Sequence, residues 1–412
     1  MSIISFADIV HQYITFDKDV PAHNVALKLI DTRWMQRLRD VSQTANTRLV
    51  YMFSEHSRFG HSLGVCYLAN LVMDKLARNF KDQIEPYRIA VSAAALLHDI
   101  GHLAPGSHTA FKTWFPDAED IHEELSRKVI LSDSDIQDIL KSFGEEIPDL
   151  VNSILSDEPT SNVPHWTKEL LSGGGWNVDR GNWCVVDSVL AGVSYGQYNI
   201  PALTESLVIT KDGHLALQEN RLDAMQHFAM SRHAMYQQIY QHRVILGADI
   251  LNQTVVKRVR DIYKIADIFS DDAMKNIIAL NDPNKLEVAD IFPMRESWWK
   301  YHLTRWQQSS DKILSDLADR LINRRLFKTA RVLSGDKTIF KKATKTAIDL
   351  GFDPKYYLAE VSPPAKSKQQ SALPVSLEDG SVREMNELAP FMNIAESEKH
   401  WLVMPKEVKD KL

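Results

Sequence analysis

His98 and Asp99 stand side by side in Leu96-Leu-His-Asp-Ile-Gly-His102, and an imidazole next to a carboxylate at a helix end can share one metal ion. His61 upstream and Asp187 downstream complete a set of two histidines and two aspartates. A hard or borderline divalent ion accepts such donors, and a hydrolytic site leaves positions on it for water or a phosphate oxygen. Neighbouring helical residues point about 100° apart, so His98 and Asp99 converge only on an ion beyond the helix end, where Gly101 supplies a stop. The competing reading is a plain buried terminus, with His98 and His102 bonding the last carbonyls and Asp99 facing water. The dipeptide alone does not separate the two.

Composition narrows the setting. The 412 residues are 44% hydrophobic and 25% charged, enough for one large core or two ordinary ones. Only Cys66 and Cys184 are present, each in an apolar stretch, which suits buried thiols of a reducing cytoplasm better than a disulfide framework. No signal peptide and no 18-residue apolar run is found, so a cytoplasmic protein without membrane partners is expected. The net charge of −6 argues against wholesale wrapping of nucleic acid but leaves room for a local basic channel.

The elements that must position these groups read as mainly α. Val65, Leu68, Leu71, Val72 and Leu76 recur at helical spacing after Gly60, and a second helix runs from about Pro86 to Gly101. Gly173 to Gly175 make a turn before a helix expected over Trp183 to Tyr195, which contains Asp187. One long helix is expected from about Asn220 to Asn252, followed by helices near 258 to 280 and 308 to 332. Ser362 to Ser371 reads as a connector; Glu378-Asp379-Gly380 marks a hairpin turn, and Trp401 to Met404 a third short strand. The expected division is 1–255, a catalytic core; 256–360, a helical lobe; and 361–412, a connector with a small β-containing tail.

Several motifs in order carry a resemblance. Asp31-Thr-Arg-Trp-Met-Gln36-Arg37-Leu-Arg39, Arg58-Phe-Gly-His61-Ser, His98-Asp-Ile-Gly-His102, Ser107-His108, His122-Glu123, Arg232 to Tyr240-Gln-His242-Arg243 and Arg325-Leu-Phe-Lys328 together resemble the HD-domain metal-dependent phosphohydrolases. Within that family the likeness is to the deoxynucleoside triphosphate triphosphohydrolases, over roughly residues 5 to 360. The resemblance implies an HD-domain helical fold with a C-terminal helical lobe. It implies one divalent ion (Mn, Mg, Fe, Zn or Ni) on His61, His98, Asp99 and Asp187, with a second Mg arriving on the substrate phosphates. Arg58 and Arg232 resemble phosphate contacts, Gln43 a reader of the sugar 3′-hydroxyl, and Tyr240 with Tyr236 the sugar-packing side chains. His102, His108, His122 and Glu123 resemble the proton-transfer group, with His108 as the donor. The implied reaction is hydrolysis of a dNTP to nucleoside and triphosphate. Alternatives are another phosphoester, such as a nucleic-acid 3′ end cut by an exonuclease, or a non-catalytic nucleotide-sensing assembly subunit.

Counted from Asp187, the pattern breaks. The family's Lys, Tyr and Asp, one, four and eight residues after its metal aspartate, fall on Ser188, Ala191 and Tyr195. The loss of such contacts weakens substrate discrimination by roughly 1 to 3 kcal/mol for each buried polar partner. Asp31, Gln36 and Arg39, with His242 and Arg243, resemble a nucleotide effector site, although Gln218, Asn220 and Ala224 replace basic residues expected there. The basic stretch Arg320 to Lys345 reads as a solvated face or, alternatively, a strip for single-stranded nucleic acid. Family likeness implies a homo-oligomer: a dimer, tetramer or hexamer.

Overall fold

The computed structural model describes residues 2–106, 109–156, 162–333, 337–362, 373–388 and 399–412. Its centre is a pair of helices, Arg58–Ile84 and Arg88–Leu97, packed against each other and against Pro21–Ile30. Ala90 to Leu97 are all buried, and the alanines among them let the neighbouring backbones come close. A polar tie crosses the three helices: Asn70 Nδ2 donates to Ser92 Oγ (2.9 Å), and Ser92 Oγ donates to the Ala22 carbonyl (2.7 Å). Inside an apolar core, such a tie fixes the relative placement of helices that hydrophobic contact alone would leave loose.

The helix expected over Trp183 to Tyr195 spans Val178–Leu190 instead, five residues earlier. Its start is set by Asn177, whose Oδ1 accepts from Arg180 N (2.8 Å) as an N-cap. The single helix expected over Asn220 to Asn252 is in fact two, Leu222–Met235 and Arg243–Ile262, joined by a π-helical turn, Tyr236–Tyr240. His242 breaks it with extended backbone and caps the second helix through Nδ1 and Val244 N (3.3 Å). The helices expected near 258 to 280 and 308 to 332 shrink to Asp272–Ala279 and Lys312–Ile322.

Among the described residues, nine short strands form three small sheets. β1 (Ile3–Asp8) and β2 (Gln12–Asp17) make an N-terminal hairpin that the sequence reading missed. β3 (Leu207–Ile209), β4 (Leu215–Gln218), β7 (Val375–Ser376) and β8 (Val382–Arg383) form the second sheet in that order, with β7 parallel to β4. The expected tail hairpin is β7 and β8, turning at Gly380 (φ +82°). β9 (His400–Met404) does not extend that hairpin: it lies between β5 (Lys328–Val332) and β6 (Ala359–Val361), antiparallel to both. Leu402 and Met404 decide this by burying themselves with Ala343, Ala347 and Val408 in a small second core. Most of the connector expected at Ser362 to Ser371 lies outside the described residues.

Arg37 ties this frame to the HD turn. Its fully buried guanidinium donates to the carbonyls of Ile100 (3.3 Å), Ile291 (2.9 Å), Phe292 (3.1 Å) and Met294 (2.7 Å). Among the described residues, no helix is long and apolar enough to cross a membrane.

Candidate metal centre

The helix Arg88–Leu97 ends at Leu97, and the turn that follows carries His98 and Asp99. That turn is held from the side by Ser126 on the helix His122–Ser132: Ser126 Oγ donates to the His98 carbonyl (2.6 Å) and accepts from Gly101 N (2.9 Å). Gly101 is required here because a Cβ would collide with the backbone of His122, Leu125 and Ser126. The same close approach lays His122 on His102, rings nearly parallel at 18° and 4.1 Å apart.

His61, His98 and Asp99 converge, their candidate ligand atoms all within 4.8 Å of one another. His61 Nε2 is 3.7 Å from Asp99 Oδ2, and His98 Nε2 is 3.4 Å from Asp99 Oδ1. The fourth member is Asp179, in the first turn of the Val178–Leu190 helix, with Oδ1 2.9 Å from His61 Nε2 and 3.8 Å from His98 Nε2. With metal bonds of about 2.1 Å, adjacent ligand atoms stand roughly 3 to 3.5 Å apart, so the spacings suit a divalent ion. His98 Nε2 is also buried without a hydrogen bond among the described residues, while His98 Nδ1 faces the Ala95 carbonyl (2.9 Å) and His61 Nδ1 faces Asn182 Oδ1 (2.9 Å). Both rings can therefore turn an Nε2 lone pair inward, the tautomer a ligand needs.

Asp187, expected in this set, is elsewhere. Eight residues along a helix is about 12 Å, and its oxygens meet His56 Nε2 (2.7 Å) and the Tyr240 hydroxyl. Asp179 was missed because the helix was expected to begin at Trp183, which put Asp179 in the glycine turn; the legible signal was Asn177 as a cap.

Charge follows from the packing. Burial would raise the Asp99 carboxyl, but Arg58 (Nη1 to Oδ2, 2.6 Å), His98 and His102 together hold it well below the ordinary range. Burial opposes ionisation of Asp179 as well, and His61 and His98 outweigh it. His102 is pushed down to about 3 by burial, then by Arg58 and His122. His122, despite burial, is raised to about 9 by Asp120, whose Oδ1 sits 2.9 Å from Nδ1, with Glu123 and Asp99 adding to the effect. Stacked imidazoles driven apart in this way give one neutral and one charged ring.

Several of the remaining expected residues connect to this cluster or to Asp187: Arg58 bonds Asp99, and Tyr240 bonds Asp187. Arg58 and Arg232 are buried, and the Arg232 guanidinium lies 5.2 Å from the Tyr236 ring centre. Tyr236 and Tyr240 meet each other (5.1 Å) and both meet Trp183 edge-on (5.9 and 5.5 Å). Gln43 is buried, its backbone N–H on the His56 carbonyl (3.0 Å), and its Oε1 has no hydrogen-bond partner among the described residues. Arg180 folds back, its Nη1 on the carbonyls of Gly173, Gly174 and Gly175 (2.8 to 3.0 Å). His108 lies outside the described residues.

Of the expected effector residues, Asp31 is exposed at a helix end, while Gln36 bonds the Ile30 carbonyl (2.8 Å) and accepts from Arg39 (2.9 Å). Arg243 lines a cavity of about 140 Å³ with Val244, Phe327, Lys328, Thr329 and Lys409. The basic stretch is partly spent internally: Arg320 and Arg325 pair with Asp316, and Arg324 bonds the Leu49 carbonyl.

Residues 58–169 match the HD domain family model. The chain is 27% identical to YwfO of Bacillus subtilis over 98% of its own length and 92% of that protein. It is 26% identical to the deoxynucleoside triphosphate triphosphohydrolase SAMHD1 of Bos taurus over 58% of its length, spanning 44% of SAMHD1. A phosphohydrolase of Bacteroides thetaiotaomicron shares the fold across 98% of the chain and 100% of that structure, with a TM-score of 0.82 at 22% identity. A protein of Aquifex aeolicus does so across 99% and 98%, with a TM-score of 0.74 at 22% identity. The molecule is thus an HD-domain protein, mainly α with small sheets. Its relatives and structural neighbours support an HD-domain phosphohydrolase family.

Proposed function

We propose that this phosphohydrolase cleaves deoxynucleoside triphosphates to deoxynucleoside and triphosphate, with His61, His98, Asp99 and Asp179 as the ligands of one divalent ion. The observation that carries the reading is the position of Asp179. Counted from it, the residues one, four and eight positions on are Arg180, Trp183 and Asp187: a cation, an aromatic ring and a carboxylate. The family's Lys, Tyr and Asp have chemical counterparts there, and the breaks at Ser188, Ala191 and Tyr195 belonged to the wrong register.

A divalent ion there supplies Lewis-acid polarisation of a phosphoryl oxygen and an acidified water. The chain's own residues do the rest. Arg58, Arg232 and Arg180 supply cationic donors for the phosphates, Arg180 after exchanging carbonyl partners for a stronger anionic acceptor. Trp183, Tyr236 and Tyr240 form an aromatic wall for the sugar and base. Asp187 accepts two bonds already and keeps lone pairs for a sugar hydroxyl, and Gln43 Oε1, without a partner among the described residues, is a second acceptor. His122, kept charged by Asp120, is the proton source for the departing oxygen among the described residues, and the family resemblance adds His108 as a second candidate.

The test is to incubate metal-loaded protein with the four dNTPs, the four NTPs and a labelled oligonucleotide, then separate the products. Deoxynucleoside plus intact triphosphate is expected. Mononucleotides released from the oligonucleotide would instead establish the exonuclease alternative, and no turnover with Mn, Mg, Fe, Zn or Ni would establish the sensing subunit. The cations around the Arg243 cavity support a second, regulatory reading, in which a nucleotide effector binds there and promotes oligomer assembly. GTP or dNTP addition that changes neither rate nor subunit number would remove it.

A further inference from the structure

His61 is gripped at both ring nitrogens by one helix. Nε2 faces Asp179 Oδ1 and Nδ1 faces Asn182 Oδ1, each at 2.9 Å, and the two partners are three residues apart on Val178–Leu190. The facing helix is arranged to allow this. Gly64, three residues after His61, presents bare backbone to the fully buried Asn182, and a Cβ there would overlap the Asn182 amide nitrogen. No bulkier residue lets the amide reach the ring.

Donor counting makes this pair informative. A neutral imidazole has one N–H, whereas Asp179 Oδ1 and Asn182 Oδ1 are both acceptors. With Asn182 Oδ1 accepting from Nδ1–H, a bare Nε2 faces a carboxylate oxygen, a clash that a cation between them resolves. With the amide turned by 180°, Nδ2 donates to Nδ1, and Nε2–H donates to Asp179, which is satisfied with no ion present. The turn exchanges an oxygen and a nitrogen of nearly equal size, so the close-packed niche beside Gly64 accepts both. A carboxylate at position 182 offers acceptors only and supports the first arrangement alone.

We propose that Asn182 is a positioning residue that sets the tautomer of His61, its amide orientation switching with occupancy of the metal site. This rests on the metal site proposed above. In the metal-free protein Nε2 carries the proton and Asp179 accepts it; in the loaded protein Nδ1 carries it and Asn182 Oδ1 accepts it.

The experiment uses full-length protein labelled with ¹⁵N-histidine, with Zn(II) as the probe. Long-range ¹H–¹⁵N spectra at pH 8 read the His61 tautomer, with His61→Gln identifying its signals, and competition against a chromophoric chelator reads affinity. Wild-type protein is expected to change tautomer on loading. Asn182→Asp should hold Nδ1–H in both states and bind Zn(II) several-fold more tightly. Asn182→Ala should bind roughly 10- to 100-fold more weakly, the usual effect of losing an outer partner of a ligating histidine. Gly64→Ala, which crowds the amide away without touching its chemistry, should move affinity in the same direction. Circular dichroism confirms that each variant is folded. An Nδ1–H tautomer or a doubly protonated ring in metal-free wild-type protein overturns the proposal, as does unchanged affinity in both Asn182→Ala and Asn182→Asp. Wild-type protein that takes up no ion overturns the metal site itself, and this inference with it.

Discussion

Replacing Asp179 and Asp187 singly by alanine should give opposite results for metal binding, although both are aspartates of one helix two turns apart. The Asp187 side chain is 4% exposed and accepts from His56 and Tyr240. Removing it strands two interior groups at roughly 1 to 3 kcal/mol each, so the fold should lose roughly 2 to 6 kcal/mol. Metal binding should persist, since position 187 is about 12 Å along the helix from position 179. Asp179 is 33% exposed in the first helical turn. Its removal costs about 0.3 to 1 kcal/mol of favourable interaction with the helix N-terminus and strands the buried His61 Nε2–H at roughly 1 to 3 kcal/mol, and it deletes the carboxylate that His61 and His98 share. Urea unfolding with elemental analysis of dialysed protein reads both quantities. Asp187→Ala should retain one ion per chain and Asp179→Ala should lose it; in metal-free buffer both midpoints should fall, that of Asp179→Ala by the smaller amount. Metal retained in Asp179→Ala and lost in Asp187→Ala would refute the assignment of the fourth ligand.

Other perturbations test the frame around the site. Burial raises the Asp249 carboxyl to about 6 against the hydrogen bonds of Asn46 and Thr109. The folded state thus holds this proton more tightly than the unfolded state between pH 3.8 and 6, so the residue's contribution to stability falls as pH rises through that window, by about 3 kcal/mol. Asp249→Asn should therefore gain on wild-type protein by about that amount between pH 4 and pH 7 in urea titrations, and a constant difference would exclude the raised value. Gly101→Ala must push the His122–Ser132 helix off the HD turn; we expect a loss of roughly 1 to 3 kcal/mol, together with weakened metal binding in the chelator assay. Unchanged stability and metal binding would show that the turn is not set by this contact. Arg37→Met deletes the donors of four interior carbonyls, and its urea midpoint should fall by the equivalent of roughly 3 kcal/mol or more; a shift within error would mean that water replaces the guanidinium.

Much of this protein is written locally. The apolar spacing after Gly60 and before Gly101 predicts two helices, and His61, His98 and Asp99 meet where those helices bring them. Glu378-Asp379-Gly380 predicts a turn because glycine alone adopts the positive φ cheaply, and a hairpin follows. Local pattern failed where a long-range partner overrode it. A continuous helical period across 220 to 252 conceals the break at His242, which comes with the packing of Tyr236 and Tyr240 around Trp183. The strand at Trp401 to Met404 was visible, but its sheet was chosen by the partners that bury Leu402 and Met404.

The division is clearest along Val178–Leu190. The sequence by itself pointed to a carboxylate from this region for the two histidines and put Asp187 forward, with Asp179 left outside the helix that it predicted. Tertiary structure decided between them, because a helix rigidly separates residues eight positions apart and its docking on Arg58–Ile84 brings only the first turn to His61 and His98. The cap at Asn177 fixes where that turn begins, and the bare backbone of Gly64 fixes how closely the two helices approach.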